Sequence, residues 1–360
     1  MPIRILLLSF LPAALPALGA TAVSVVGEAF HLNGRPTYAG REWEGRRVEG
    51  LLFNSRMVQA TFHDRNPATR HRWALPDGAP YDPDRNTEAF LSALPIYRRH
   101  GLLAVTINLQ GGSPQGYSKE QPWHNSAFAE DGRLIPAERA RMERVLRALD
   151  AQGMVAILGL FYFGQDERLR DEAAVLRAVD EAVDWLQDSG LRNVLVEINN
   201  ECDVRYDHAI LQPGRVHELI ERVRGQTRNG RRLLVSTSYG GGKIPGPAVV
   251  AAADYLLLHG NGVREPARLA ALVDKTRAVP GYTPKPIVVN EDDHYDFDRA
   301  ENHLHAATRA YASWGYFDFR RPGEAHAEGF QSVPVDWSLS SPRKRAFFTR
   351  VADITGHPRP

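Results

Sequence analysis

Eight short apolar runs recur along this chain, with helical periodicity between most of them. The runs are 51–61, 102–109, 154–162, 194–198, 233–236, 255–259, 286–289 and 311–319. Several are near-continuous in apolar residues, as strands covered on both faces must be. The stretch 138–151 places Met142, Val145, Leu146 and Leu149 on one helical face, with Gly153 as a stop. Asp171 caps a run carrying Val175, Leu176, Val179, Val183 and Leu186, ended by Gly190. Pro213 opens a helix with Val216, Leu219, Ile220 and Val223, ended by Gly225. The last helix starts at Ser341-Pro342, carries Phe347, Phe348, Val351 and Ile354, and stops at Gly356. These start and stop signals, repeated with the strands, predict a closed (β/α)8 barrel over 50–360. The alternative is a doubly wound open sheet, but no Gly-rich phosphate loop follows the first strand.

The 360 residues suffice for one such barrel plus decoration and fit a second full domain poorly. The decoration falls at 23–49, where Asn33-Gly34-Arg35-Pro36 reads as the turn of a β-hairpin. Before it, a short basic start leads into an apolar run over residues 5–18 and then small residues. This pattern predicts a secretory signal peptide over 1–22, cleaved near Ala20 or Ala22, and a secreted or periplasmic protein. A membrane anchor is the alternative reading, although Pro12 and Pro16 interrupt the run. The formal net charge of +1 points to neither nucleic acid nor an anionic membrane as partner. A single cysteine, Cys202, excludes an internal disulfide and removes support for thiolate zinc and iron–sulfur sites.

The fourth run ends Asn199-Asn200-Glu201 and the seventh ends Asn290-Glu291. Carboxylates at the C-terminal ends of barrel strands point into the shared cleft. Strands four and seven stand across the ring, so the two Glu face each other. Cleavage of a glycoside needs such a pair, one to protonate the leaving oxygen and one to attack the anomeric carbon. The long segments 62–84 and 110–135 follow strand ends and hold aromatic residues, Trp73, Tyr117 and Trp123 among them, suited to stacking on sugars. Gln110, Trp123 and Tyr239 are cleft-lining candidates by position.

Over about residues 50–355 the sequence resembles the cellulase-like clan of retaining barrel glycosidases. The resemblance rests on Asn200-Glu201 ending strand four, Glu291 ending strand seven, His259-Gly260-Asn261 ending strand six, and Trp314 in strand eight. It implies Glu201 as acid/base and Glu291 as nucleophile. It also implies Asn200 as a partner of the sugar 2-hydroxyl and Trp314 as the platform under the reacting sugar. Three positions depart from the clan: Asn261 replaces its strand-six Tyr, Cys202 stands where Pro is common, and strand two ends without the expected cation. Arg56, in strand one, is either the substitute cation or a structural ion pair, and His259 is either a site residue or a core histidine.

Glu291-Asp292-Asp293-His294 and His303-Leu304-His305 raise a metal reading. Residues two apart on a helix do not share a face, and the sequence reading assigns no metal and no cofactor. Asp292 and Asp293 are expected to cap a helix or line the cleft rim. The expected function is retaining hydrolysis of β-glycosidic bonds in a poly- or oligosaccharide outside the cytoplasm. A non-catalytic carbohydrate-binding barrel, or a barrel hydrolase or lyase of another class, is the alternative.

Overall fold

The computed structural model describes residues 20–118 and 120–360. Most of the leader expected over 1–22 lies outside them. Eight parallel strands form one sheet: β1 (Asn54–Arg56), β2 (Ala104–Asn108), β3 (Val155–Tyr162), β4 (Val194–Asn200), β5 (Leu234–Ser236), β6 (Leu256–His259), β7 (Ile287–Asp292) and β8 (Ser313–Tyr316). Each strand pairs with its sequence neighbours, and β8 pairs with β1, so the sheet curls round on itself; β5 and β6 are its two ends. The helices are α1 (Pro83–Arg99), α2 (Pro136–Ala151), α3 (Glu172–Asp188), α4 (Val216–Gly225), α5 (Pro247–Ala252), α6 (Pro266–Arg277), α7 (His303–Arg309) and α8 (Pro342–Thr355). This is a (β/α)8 barrel. Among the described residues no helix is long and apolar enough to cross a membrane.

Local chemistry sets the helix starts. Asp82, Asp171 and Ser341 each accept hydrogen bonds from backbone N–H groups of the following turn. Gly356 ends α8 in the left-handed region. Two expectations need correction. The run 51–61 contributes only Asn54–Arg56 to the sheet, and Val58–Thr61 coils into a 3-10 turn. Buried strand and buried turn carry the same apolar signal, so periodicity cannot separate them. Helix α4 starts at Val216, and Pro213 stands before it.

Two apolar layers hold the barrel. The outer one packs the sheet against the helices. The inner one is small and includes Leu52, Ala104, Val155, Ile157, Leu195, Leu257 and Val288. Phe30, from the N-terminal hairpin Val23–Val26/Ala29–Leu32, is fully buried in this inner layer and meets Tyr255 edge-on at 6.2 Å. The hairpin therefore plugs the bottom of the barrel. Towards the C-terminal strand ends the buried residues turn polar, with Asn54, Thr106, Asn108, Glu197 and Asn290. That change of chemistry marks the functional end.

Candidate active site

Four strands bring charged or amide side chains together at this end. Arg56 ends β1, Asn200 ends β4 with Glu201 next, His259 ends β6 with Asn261 two residues on, and Glu291 lies near the end of β7. One carboxylate oxygen of Glu201 and one of Glu291 lie within 4.8 Å of each other. Arg56 Nε lies 3.1 Å from Glu291 Oε2, both side chains buried. Asn261 Nδ2 donates to Glu291 Oε1 at 2.6 Å. His259 Nδ1 lies 2.9 Å from Glu201 Oε1 and 3.8 Å from Glu291 Oε2. The nucleophile candidate thus has a cation on one oxygen and an amide donor on the other.

The electrostatics are those of a buried cluster. Burial works against the Arg56 guanidinium, but the charges of Glu291 and then Glu197 and Glu201 raise its pKa. Burial likewise opposes a charged His259, and Glu291 and Glu201 outweigh it and raise the imidazole above its ordinary value. With Nδ1 protonated, His259 donates to Glu201. The sequence left Arg56 and His259 between a site role and a structural one. The structure sets both against the carboxylate pair.

Glu197 was missed. It is fully buried four residues before Glu201, and burial pushes its carboxyl pKa up. Ser238 Oγ donates to Glu197 Oε1 at 2.6 Å and accepts the Glu201 N–H at 2.9 Å. Asn290 Nδ2 lies 3.5 Å from Glu197 Oε2. Glu197 is thereby linked to the backbone of Glu201 and to the residue before Glu291. Glu201 needs such support, since its φ of 55° lies in the left-handed region, which costs a non-glycine residue about 1–3 kcal/mol. The available signal was an acidic residue inside an otherwise apolar strand.

Other candidates fall outside the cluster. Trp314 is fully buried, packs on Phe297 and Phe347, and donates Nε1–H to Asp292 Oδ2 at 2.9 Å. It faces the helices and cannot lie under a sugar. Trp123 is buried edge-on against Trp73, and Gln110 spends its amide on Ser126 and the Gln165 carbonyl. Tyr239 is buried near Cys202 and Gly246. Alternation and loop position cannot tell these core-facing side chains from cleft-facing ones. Asn200 is buried at the strand end with Oδ1 free of protein partners. Cys202 is a buried free thiol whose pKa burial pushes up.

Asp292 neither caps a helix nor reaches the rim. It is fully buried and meets His294 Nδ1 at 2.6 Å and His303 Nδ1 at 2.8 Å, besides Trp314. Burial opposes its charge, and the two histidines outweigh burial and lower its pKa. Gly260 is required opposite, because a Cβ there would come within 2.1 Å of Asp292 Oδ2. Asp293 does stand at the rim, where it accepts from the Tyr117 hydroxyl at 3.2 Å. Among the described residues two groups, Asp292–His294–His303 and Glu201–His259–Glu291, bring enough ligand atoms together for a cation. Neither suits one. In the first, two imidazoles stack at 3.8 Å and a Trp N–H already points at the carboxylate. In the second, the Arg56 cation already stands 3.1 Å from Glu291 Oε2 and Asn261 donates to Oε1.

The class defined by fold and site is a parallel (β/α)8 barrel with a facing glutamate pair at the ends of β4 and β7. No family model and no curated protein sequence matches the chain. Solved structures do match its fold. The endo-1,4-beta-mannanase from Rhizomucor miehei aligns at TM-score 0.58 and 11% identity, over 93% of this chain and 99% of that one. A glycoside hydrolase family 5 enzyme from Prevotella bryantii aligns at TM-score 0.52 and 11% identity, over 75% and 88%. A protein from Bacteroides vulgatus aligns at TM-score 0.56 and 16% identity over 92% of this chain, which spans only 61% of that protein. The structural neighbours thus include a glycoside hydrolase family 5 enzyme, and at these identities the likeness is one of fold.

Proposed function

We propose that this protein is a retaining glycoside hydrolase acting on β-glycosides outside the cytoplasm. The observation that carries the reading is the Glu201–Glu291 approach within 4.8 Å. Retaining enzymes hold the two carboxyl groups at about 5–5.5 Å, whereas inverting ones leave about 6.5–9.5 Å for a water. In the first step Glu201 gives its proton to the glycosidic oxygen while Glu291 attacks the anomeric carbon. The bond to the leaving group breaks and a glycosyl ester forms on Glu291. In the second step Glu201 takes a proton from water, whose oxygen attacks the same carbon and frees Glu291. Two inversions retain configuration.

Arg56 and Asn261 fix the attacking carboxylate, which matches the positioning requirement of covalent catalysis. His259 holds one oxygen of Glu201. The glycosidase names of the structural neighbours add to this reading, one of them being the Rhizomucor miehei mannanase. Export rests on the leader pattern in the sequence. Thr21 hydrogen-bonds to Asp150 through its backbone N–H and its hydroxyl, so cleavage after Ala20 would leave that anchor intact.

Azide rescue tests the assignment, using aryl β-glycosides that need no acid for the first step. Glu201→Ala should give the β-glycosyl azide, through two displacements. Glu291→Gly should give the α-azide, through one. The same anomer from both variants, or full activity in either, would overturn the assignment.

A further inference from the structure

Among the described residues only four large hydrophobic side chains are exposed, and two of them, Tyr117 (55%) and Val204 (39%), line one cavity beside the carboxylate pair. The cavity measures about 530 Å³, and Phe163 forms its third apolar wall. Each wall is one step from the proposed chemistry. Val204 closes the turn after Glu201, its N–H bonding the Glu201 carbonyl at 2.9 Å. Phe163 follows Tyr162 and stacks on it at 4.4 Å. Tyr162 in turn lies close enough to Arg56, Glu291 and Glu201 to feel their charges. Tyr117 packs edge-on against Phe317 and Phe319, turns its hydroxyl to Asp293, and leaves ring surface open.

The segment leading into Tyr117 is held in place, the backbone at 112–115 being tied to 331–333 by the Val333 N–H to the Pro114 carbonyl at 2.7 Å and by Gln331 Nε2 to the Gly112 and Ser113 carbonyls. Arg56 is buried against Glu291. The pocket adjoins the turn that carries Glu201, through Val204. In a retaining glycosidase the proton donor stands on the leaving-group side of the scissile bond.

We propose that the pocket of Tyr117, Phe163 and Val204 is the leaving-group subsite, and that it selects an apolar aglycone, an aryl or alkyl alcohol, over a further sugar. This rests on the glycosidase reading above. A pyranose presents hydroxyls on most of its rim and needs polar partners for them when bound. Among the described residues the pocket offers two rings and a branched methyl side chain, with Ser118, Glu120 and Arg205 as its polar lining. The indoles that would have extended a polysaccharide cleft, Trp73, Trp123 and Trp314, are all buried.

Direct binding tests the pocket without relying on turnover. 2-Phenylethanol and cellobiose are titrated into the full chain by calorimetry or ligand-observed NMR. The alcohol should bind at least about tenfold more tightly, a ratio within reach of burying one aromatic ring. Phe163→Ala and Val204→Asp should each weaken it about tenfold, while Val26→Asp, at a remote exposed valine, should not change it. No binding of the alcohol, tighter binding of cellobiose, or indifference to both pocket variants would overturn the proposal. A panel of β-glycosyl fluorides supplies the second arm, since fluoride leaves without occupying the pocket. Turnover of a fluoride with capture of the sugar by 2-phenylethanol supports the assignment. Turnover without alcohol binding removes the subsite and leaves the hydrolase reading standing. Alcohol binding with no fluoride turned over, by contrast, overturns the hydrolase reading and the leaving-group role with it.

Discussion

Asn261 donates its side-chain amide to Glu291 at 2.6 Å, in the strand-six position where the resembling clan carries a tyrosine. That donor holds Oε1 while the Arg56 guanidinium stands 3.1 Å from Oε2, so the carboxylate proposed as nucleophile is fixed through both oxygens. The pairing gives a sharp test. Asn261→Asp would set a second carboxylate at hydrogen-bond distance from the first. Two such groups cannot both ionise, so one takes up a proton. Activity at pH 7 should fall at least about a hundredfold, the scale of losing one preorganised donor, and should partly return in Asn261→Gln. Equal pH–rate profiles for Asn261→Asp and the parent would contradict the role.

Arg56 is a buried cation against Glu291, with Glu197 close by. Arg56→Met keeps the apolar stem and removes the charge. It strands buried carboxylates, and breaking a buried pair from one side costs about 3–5 kcal/mol. Urea unfolding should show a loss of that order together with lost turnover. A change below about 1 kcal/mol, the worth of an exposed pair, would mean that the ion pair is dispensable.

Trp314 separates two roles cleanly. As a buried donor to Asp292 it matters for stability, and Trp314→Phe should cost about 1.5–3 kcal/mol, the range for a hydrogen bond to a charged group. As a sugar platform it would matter for KM. The expected result is a lower unfolding midpoint with KM within about twofold of the parent. A large rise in KM at unchanged stability would restore the platform reading.

His259 makes stability depend on pH with a definite sign. Its pKa is raised in the fold above the ordinary 6.5, burial opposing the shift and Glu291 and Glu201 driving it. A proton bound more tightly in the folded state stabilises it fully below the unfolded pKa. That contribution is lost as pH rises through the folded value. Denaturation midpoints should therefore fall from about pH 6.5 upward, and His259→Gln should flatten the fall. A midpoint that rises over this window in the parent alone would reverse the assignment.

The eight strands, the barrel class and the two facing glutamates were legible in the residues, because burial on both faces writes long apolar runs and a strand's end fixes where its last side chain points. Glu201 and Glu291 stand at such ends, so chain order alone placed them. Arg56, His259 and Asn261 were legible as candidates, but their partners were not, since each partner lies on a distant strand.

What the sequence by itself determined was the periodic alternation, its caps and turns, and the Asn-Glu endings of two strands. These are local, set by neighbours within a few residues. The tertiary structure decided which face each side chain shows. It turned Trp314, Trp123 and Gln110 into the packing, buried Asp292 among two histidines and an indole, and drew Glu197 under both proposed catalytic groups. It also left Tyr117 and Val204 open beside them. Contacts of that kind join positions tens to hundreds of residues apart, and only closure of the barrel brings them within hydrogen-bonding distance.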